Sequence, residues 1–594
     1  MRASLACGAM VILLAQGVLG CGDDTDPGGT GSSSSSTSGS GGNGGGGDGG
    51  NGGGGAGGSG GEGGNGGNGG EGGNGGGDAI AWTPCPLFTD GTGEDAECAE
   101  IPVPLHWDQP EGKTITFFVK RKLAATQPSR GQLWLLNGGP GYSGADFEPS
   151  VQFLAGVDPT LDMYMPDHRG TGRSSRLGCA DGETPESEAG SYLTDAELAA
   201  CLPSIKAELG DDIQGYTVTN AARDVGEIIA RTRAPGGDVI VSGGSYGSIW
   251  GHRYLQLYPD QPTAVSLTAL AVNSRLSDMD VWLNDLGQRF MGLCGADPSC
   301  SEKLGADPWA TMTETLDAFE EGACPEVAAL GVDRPVFQAL FAQSLYQWAP
   351  RPLIPALIYR LDRCSPADVA AFTHLAGILL APLPEPLSPS LRFYSPVLRN
   401  NIMLSELWAD PPPPASEMQE YLAEANVALG LTDDAAAVHE SWPRYTPDAY
   451  AGQWATTSVP LLLLHGGLDF IPSAVPEAVE RHFTGPNQTF VMLPRAPHTL
   501  ESPTSSGTSC DLEILLQFVA DPEAPLDTSC TERILPLDFS VDPTLSATYL
   551  GTDDAWDGDP GAERRASTAS PEHARAITRL REAIARLRAA IAAR

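Results

Sequence analysis

Val239-Ile240-Val241-Ser242-Gly243-Gly244-Ser245-Tyr246-Gly247 is the stretch that decides the fold. The run Val239-Ile240-Val241 is short and apolar, as expected of a buried strand. Gly243-Gly244-Ser245-Tyr246-Gly247 follows at once and reads G-x-S-x-G. At the end of a strand this pattern makes a strained strand-to-helix turn that lifts a serine hydroxyl above a sheet. Glycines flank the serine because the turn leaves no room for side chains there. A helical pattern comes next, with Ile249, Tyr254, Leu255 and Tyr258 on one side and Pro259 as its end. The pentapeptide alone is weakly specific; the strand before and the helix after make it specific. Ser245 is the candidate nucleophile.

A nucleophilic serine needs a base and a group to orient that base. Downstream, the strand Pro460-Leu461-Leu462-Leu463-Leu464 ends in His465-Gly466-Gly467-Leu468-Asp469, so Asp469 falls in a loop just past a buried strand. A further strand, Thr489-Phe490-Val491-Met492-Leu493, leads to Pro494-Arg495-Ala496-Pro497-His498. His498 can take the proton of Ser245, and Asp469 can orient His498. Of the other histidines after Asp469, His482 lies in the helical stretch Glu477 to Phe483 and His573 in the tail. Upstream, the strand Leu133-Trp134-Leu135-Leu136 runs into Asn137-Gly138-Gly139-Pro140-Gly141. Backbone N–H groups of such a loop can face a developing oxyanion, with the N–H of Tyr246 as second donor. The strand Asp162 to Pro166 ends in the charged turn Asp167-His168-Arg169-Gly170-Thr171-Gly172-Arg173-Ser174, which reads as structural more than catalytic.

Asn137-Gly-Gly-Pro-Gly141, Asp167-His-Arg-Gly-Thr-Gly-Arg-Ser174 and Gly243-Gly-Ser-Tyr-Gly247 together resemble the peptidase S33 group of α/β-hydrolases. That group includes proline iminopeptidases and secreted tripeptidyl aminopeptidases. The likeness covers roughly Trp82 to Phe539. Trp82-Thr-Pro-Cys85 and Cys98-Ala-Glu-Ile-Pro-Val-Pro104 resemble the secreted branch, and so does the end, where Cys510 and Cys530 flank a helix. The resemblance implies an α/β fold, an α/β-hydrolase with a mostly parallel central sheet flanked by helices and an inserted helical cap domain. It implies Ser245, Asp469 and His498 as the triad, and no metal or organic cofactor. It places the oxyanion donors at Gly138 and Tyr246, with Gly139 a substrate-binding position. Two departures stand out. Asn137 occupies the place where iminopeptidases usually have His. Arg495-Ala496-Pro497 replaces the usual Gly-x-Gly before the histidine, and Pro497 stiffens that loop while removing a donor.

In this group cap carboxylates grip the free amino group of the substrate. Leu404-Ser405-Glu406-Leu407-Trp408-Ala409-Asp410 resembles a cap segment that ends in an acidic residue. Asp410 fills that place, with Glu406 as its neighbour; a solvated surface carboxylate is the competing reading. The expected partners are therefore peptides with a free N-terminus.

The rest of the chain describes an exported protein. Residues 1–20 begin Met1-Arg2 and continue with an apolar stretch from Leu5 to Leu19, the pattern of a signal peptide and too short to span a bilayer. Val18-Leu19-Gly20-Cys21 resembles a bacterial lipobox, which makes Cys21 the lipidation site. Residues 21–80 are almost all Gly, Ser, Asn and Asp, a disordered tether reaching on the order of 40 Å. The hydrolase core is expected over 81–274 and 456–540, with the helical cap at 275–455. Within the cap, helices are expected over Trp282–Leu293, Trp309–Glu320, Val336–Trp348, Leu353–Asp362, Pro366–Leu380 and Ser416–Leu429. Residues 541–594 read as a tail, with Ile577, Leu580, Ile584, Leu587 and Ile591 on a heptad seam that suits docking, self-pairing or a membrane surface.

The chain has twelve cysteines. Setting aside Cys7 in the leader and Cys21 leaves an even number, as a disulfide framework in an oxidising compartment requires. Proximity suggests Cys85–Cys98, Cys179–Cys201, Cys294–Cys300, Cys324–Cys364 and Cys510–Cys530, but pairing does not follow from sequence. The likeness to the secreted branch supports the last of these. There is no C-x-x-C spacing, which argues against a metal site. A net charge of −40 argues against nucleic acid and against an anionic membrane bound through the folded surface. Contact with a membrane is then through the N-terminal lipid alone. The sequence points to an exported, lipid-anchored or secreted serine exopeptidase of a bacterial cell envelope, with the outer membrane as the anchoring site. A carboxylesterase on the same fold is the alternative, and a non-catalytic surface binding protein is a third reading. Oligomeric state and residue specificity are left open.

Overall fold

A computed structural model describes residues 79–560, apart from 180–181, 184–192, 194, 381–391, 431–434 and 437. The expected leader, Cys21, the expected tether to residue 78 and the expected C-terminal heptad seam lie outside the described residues.

Nine strands form one sheet: β1 (Thr83–Pro86), β2 (Asp95–Pro104), β3 (Thr114–Lys122), β4 (Gly131–Leu136), β5 (Leu161–Pro166), β6 (Asp238–Gly244), β7 (Ala264–Thr268), β8 (Leu461–Gly466) and β9 (Gln488–Leu493). Their order is β1-β2-β3-β5-β4-β6-β7-β8-β9. From β5 to β9 neighbouring strands are parallel, whereas β1, β2 and β3 form an antiparallel edge joined to β5. This is the α/β-hydrolase fold. Parallel strands are covered on both faces, so β4 and β8 are buried along their whole length. Successive side chains point to opposite faces. Trp134, Leu136, Val239 and Val241 enter one apolar cluster, while Leu133, Leu135 and Ile240 enter the other.

The chain runs from β4 to β5 on one side and then crosses back to β6 on the other. Strand order reverses there, and crevices at such points take ligands at the carboxyl ends of the strands. The loops after β4, β6, β8 and β9 carry Gly138, Ser245, Asp469 and His498 to that one edge.

The helices before the insertion are α1 (Glu148–Val157), α2 (Asp195–Leu209), α3 (Val218–Thr232) and α4 (Tyr246–Leu257). Between β7 and β8 the described chain is helical: α5 (Met279–Ala296), α6 (Pro298–Leu304), α7 (Pro308–Glu320), α8 (Pro325–Ala328), α9 (Arg334–Leu345), α10 (Leu353–Arg363), α11 (Pro366–Leu379), α12 (Pro396–Glu406) and α13 (Ala415–Glu424). The expected helix Ser416–Leu429 stops early, at Glu424. Tertiary acceptors take the backbone beyond it: Asn284 Oδ1 accepts from the N–H groups of Asn426 and Val427, and Asp280 Oδ1 from that of Leu429. The expected helix Val336–Trp348 likewise ends at Leu345, because Trp348 N–H is drawn to Glu501. Sequence periodicity passed over α12, which carries Glu406.

Helices α14 (Ala474–His482), α15 (Cys510–Ala520) and α16 (Pro543–Leu550) complete the described set. Residues 541–560, read from sequence as the start of a tail, are instead packed into the fold. Leu545, Tyr549, Leu550, Ala555 and Trp556 are buried. The buried guanidinium of Arg360 supplies the reason, since it needs carbonyl acceptors and finds them at Asp554, Ala555 and Gly558. All five proximal cysteine pairs are disulfides. No described helix is long and apolar enough to cross a membrane.

Candidate active site

The turn after β6 is held open by close backbone contacts. Ser245 has φ 57° and ψ −125°, a left-handed conformation that is strained for a residue with a Cβ. Its N–H is tied to Thr268 O at 3.0 Å and its carbonyl accepts from Ser248 N at 2.8 Å. A Cβ at Gly243 would collide with Gly247 O, and one at Gly247 with Leu136 O. Only glycine lets β4, β6 and α4 approach this closely.

Three side chains from three loops meet in a line. Ser245 Oγ is 3.0 Å from His498 Nε2. His498 Nδ1 is 2.9 Å from both Oδ1 and Oδ2 of Asp469. Asp469 is fully buried, which opposes ionisation, but its contacts with His498 and the Ile471 N–H outweigh burial and hold its carboxyl below the usual range. An ionised carboxylate can only accept, so Nδ1 of His498 carries its proton. A neutral His498 then presents Nε2 as the acceptor for the serine hydroxyl.

His465 lies beside this line, 3.8 Å from Asp469 Oδ2. Its Nδ1 accepts the Leu270 N–H at 3.1 Å and burial lowers its pKa, so it is a neutral neighbour and not an ion-pair partner. Arg289 on α5 donates to the Asp469 carbonyl at 3.0 Å.

The glycine-rich loop lies against Ser245: a Cβ on Gly138 would come 3.2 Å from that of Ser245. The loop is pinned by Asn137, whose Nδ2 donates to Ser143 O and to Asp146 Oδ2. Asn137 Oδ1 accepts the N–H of Gly138 itself at 2.7 Å. The donor that the resemblance assigned to the oxyanion is therefore already engaged. The N–H of Gly139 has no such acceptor among the described residues. Tyr246 opens α4, where first-turn N–H groups have no intrahelical partner.

The charged turn after β5 ties the site together. Asp167 accepts from Gly144 N, Arg173 N and the Arg173 guanidinium. Arg169 is fully buried and grips Asp224 with Nε and Nη2 at 2.7 and 2.6 Å. His168 is buried and its pKa is pushed down to about 3 by desolvation, so it is neutral. Its Nδ1 faces the Arg169 carbonyl at 2.7 Å and must donate, which leaves Nε2 to accept the Tyr246 hydroxyl at 3.0 Å. The ring of Tyr246 is thereby fixed.

These histidines make stability pH-dependent. Burial also pushes His252 down to about 3 and lowers His465. Each takes up a proton when unfolded, near pH 6.5, that it refuses when folded, so stability falls as pH drops below about 6.5. Asp511 acts in the opposite sense, because burial raises it to about 7 and the folded state then binds the extra proton. Burial lowers His439 in the same way and raises Asp224 as it does Asp511, so four histidines stand against two carboxyls and the net is a loss on acidification. The thermal midpoint at pH 5 is expected below that at pH 7, by calorimetry, and an unchanged or higher midpoint would contradict these protonation states.

The two cap carboxylates do not behave alike. Glu406, at the end of α12, is buried: it pairs with Arg253 and accepts the Tyr445 hydroxyl at 2.9 Å. Its charge also reaches the Tyr246 hydroxyl. Asp410 is exposed, just before Pro411. This exposure matches the competing reading of a solvated surface carboxylate, since an exposed carboxylate stays hydrated and does not supply a buried counter-charge. The grouping Cys324, Glu326 and Cys364 has ligand-like spacing, but the two cysteines are joined to each other.

Two neighbours of His498 were not singled out from the sequence. Tyr346 stands edge-on to the imidazole with centroids 5.4 Å apart, and Phe470 packs on it at 4.5 Å. Phe470 could have been found from its place next to Asp469; Tyr346 comes from the distant helical insertion.

Residues 133–296 match the sequence profile of the family described as alpha/beta hydrolase fold. No curated protein matches the chain. Among solved structures, similarity extends to an esterase from Exiguobacterium antarcticum, 14% identical, over 67% of this chain and 92% of that one, with a TM-score of 0.26. Epoxide hydrolase A from Mycobacterium thermoresistibile is 17% identical over 72% and 99% of the two chains, with a TM-score of 0.29. An epoxide hydrolase from an endophytic Streptomyces is 14% identical over 68% and 90%, with a TM-score of 0.30. At these scores nothing about the reaction follows from the likeness.

Proposed function

We propose that the chain is a serine hydrolase that works through an acyl-enzyme, and that its substrates are peptides from which it releases N-terminal residues. The observation that carries the first part is the hydrogen-bonded line Ser245 Oγ, His498 Nε2, His498 Nδ1, Asp469. In the forward step His498 takes the hydroxyl proton as Ser245 Oγ attacks the carbonyl carbon. The Asp469 carboxylate stabilises the imidazolium that forms. The N–H groups of Tyr246 and Gly139 are the oxyanion donors on this reading, since Gly138 has given its own N–H to Asn137. The imidazolium then protonates the leaving group, and water, activated by the same histidine, releases the acyl group.

The exopeptidase reading draws on the three motifs that resemble the S33 group and on Glu406, a buried carboxylate whose field reaches Tyr246. A protonated amine buried under the insertion needs such a partner. One observation favours a carboxylesterase instead: Glu406 is already balanced by Arg253 and Tyr445, and a neutral ester asks for no further carboxylate. The two are separated by aminoacyl and short-peptide fluorogenic substrates, N-terminally free or acetylated, beside p-nitrophenyl acetate. For the exopeptidase, acetylation removes a charge-assisted contact and lowers kcat/KM by roughly ten- to a hundred-fold. Equal turnover of free and blocked peptides would remove the exopeptidase, and turnover of the ester alone would establish the esterase.

Export is part of the same proposal. Five disulfides suit an oxidising compartment. Attachment at Cys21 rests on the lipobox-like sequence.

A further inference from the structure

The loop that carries His498 is fastened to the helical insertion at the turn between α9 and α10. Thr499 donates from its N–H and its Oγ1 to the Tyr346 carbonyl, at 3.3 and 2.8 Å. Trp348 N–H donates to Glu501 Oε2 at 2.6 Å. The Tyr346 ring leans on the imidazole from the same turn.

Three residues past Trp348, Arg351 is 0% exposed. None of its Nε, Nη1 and Nη2 has a hydrogen-bond partner among the described residues. Its guanidinium lies over the Trp348 ring, 4.3 Å from the centroid. Burial lowers its pKa to about 9, the Glu501 carboxylate working against that fall and Arg495 adding to it. A buried cation without hydrogen bonds requires a compensating charge, and Glu501 is the carboxylate whose field reaches it.

We propose that Glu501 is a positioning residue: its carboxylate, shared between the Trp348 N–H and the buried charge of Arg351, locks the His498 loop to the α9–α10 turn. The α9–α10 turn of the insertion and the loop that carries the base then form one mechanical unit. Loosening this lock tilts or withdraws His498 without touching Ser245 or Asp469. The proposal rests on His498 acting as the base for Ser245.

The test is the second-order rate of labelling by a fluorophosphonate, which reports how well His498 activates Ser245, together with the thermal midpoint. Three full-length variants are compared with the wild type: Glu501→Gln, Arg351→Met and the double variant. Glu501→Gln keeps an oxygen for Trp348 N–H but strands the Arg351 charge. It is expected to lower the midpoint by roughly 3 to 5 °C and the labelling rate by about ten- to a hundred-fold, measured well below every midpoint. The double variant removes both charges and is expected to regain most of both losses. If Glu501→Gln does not fold, Arg351→Met against the double variant gives the same comparison. Labelling rates that stay at the wild-type value while the midpoint falls would reduce the contact to a structural one and overturn the proposal. Losses that simply add in the double variant would also overturn it, because the two groups would then not act as a pair. An unlabelled wild type sinks the nucleophile reading instead, so the two failures are distinguishable.

Discussion

Replacing Ser245 by Ala is expected to lower turnover by on the order of 10⁶-fold on whichever substrate the wild type cleaves. On the proposed mechanism the hydroxyl oxygen is the atom that bonds to the carbonyl carbon, so removal abolishes the acyl-enzyme path. What survives is substrate binding and the oxyanion donors acting on water. The turn itself should tolerate the change, since the left-handed strain at Ser245 falls on its backbone and alanine also has a Cβ. A thermal midpoint near that of the wild type, with fluorophosphonate labelling lost, is the expected pair of results. Labelling of Ser245→Ala at the wild-type rate would take the nucleophile elsewhere.

The second large effect is at Asp469. Asp469→Asn keeps size and shape but places an amide where the carboxylate accepts from His498 Nδ1. The imidazole then favours the tautomer with its proton on Nε2, which cannot take the proton from Ser245. A loss of about 10⁴-fold in kcat is expected. Because the base in the variant works only when deprotonated and correctly tautomeric, activity should recover partly at high pH. A variant within tenfold of the wild type across the pH profile would mean that another carboxylate orients His498.

The elements of the site differ in how they were legible. G-x-S-x-G after Val239-Ile240-Val241 declares itself because the turn has one geometry and only glycine fits at Gly243 and Gly247. Asp469 and His498 were legible because each lies in a loop just past a short, largely apolar strand, and such runs have few other uses. Gly138 was assigned by loop position alone; which N–H is free depends on the Asn137 side chain, and its rotamer is set by Ser143 and Asp146. Asp410 and Glu406 sit four residues apart and look equivalent in sequence. One is solvated and the other is buried against Arg253, a difference made by α4 and not by local pattern.

By itself the sequence determined the strand runs of β4, β5, β6, β8 and β9 but not the antiparallel edge β1 to β3, and it supplied the elbow, the chain order of the candidate serine, aspartate and histidine, and a helical insertion within the core. These follow from local periodicity and from turn sterics, which act over a few residues. Tertiary structure alone decided where helices stop, that residues 541–560 belong to the packed fold, and how Tyr346, Trp348 and Arg351 come to lie against the His498 loop. Those outcomes depend on buried donors and charges finding partners more than a hundred residues away, and no local pattern encodes which partner is in reach.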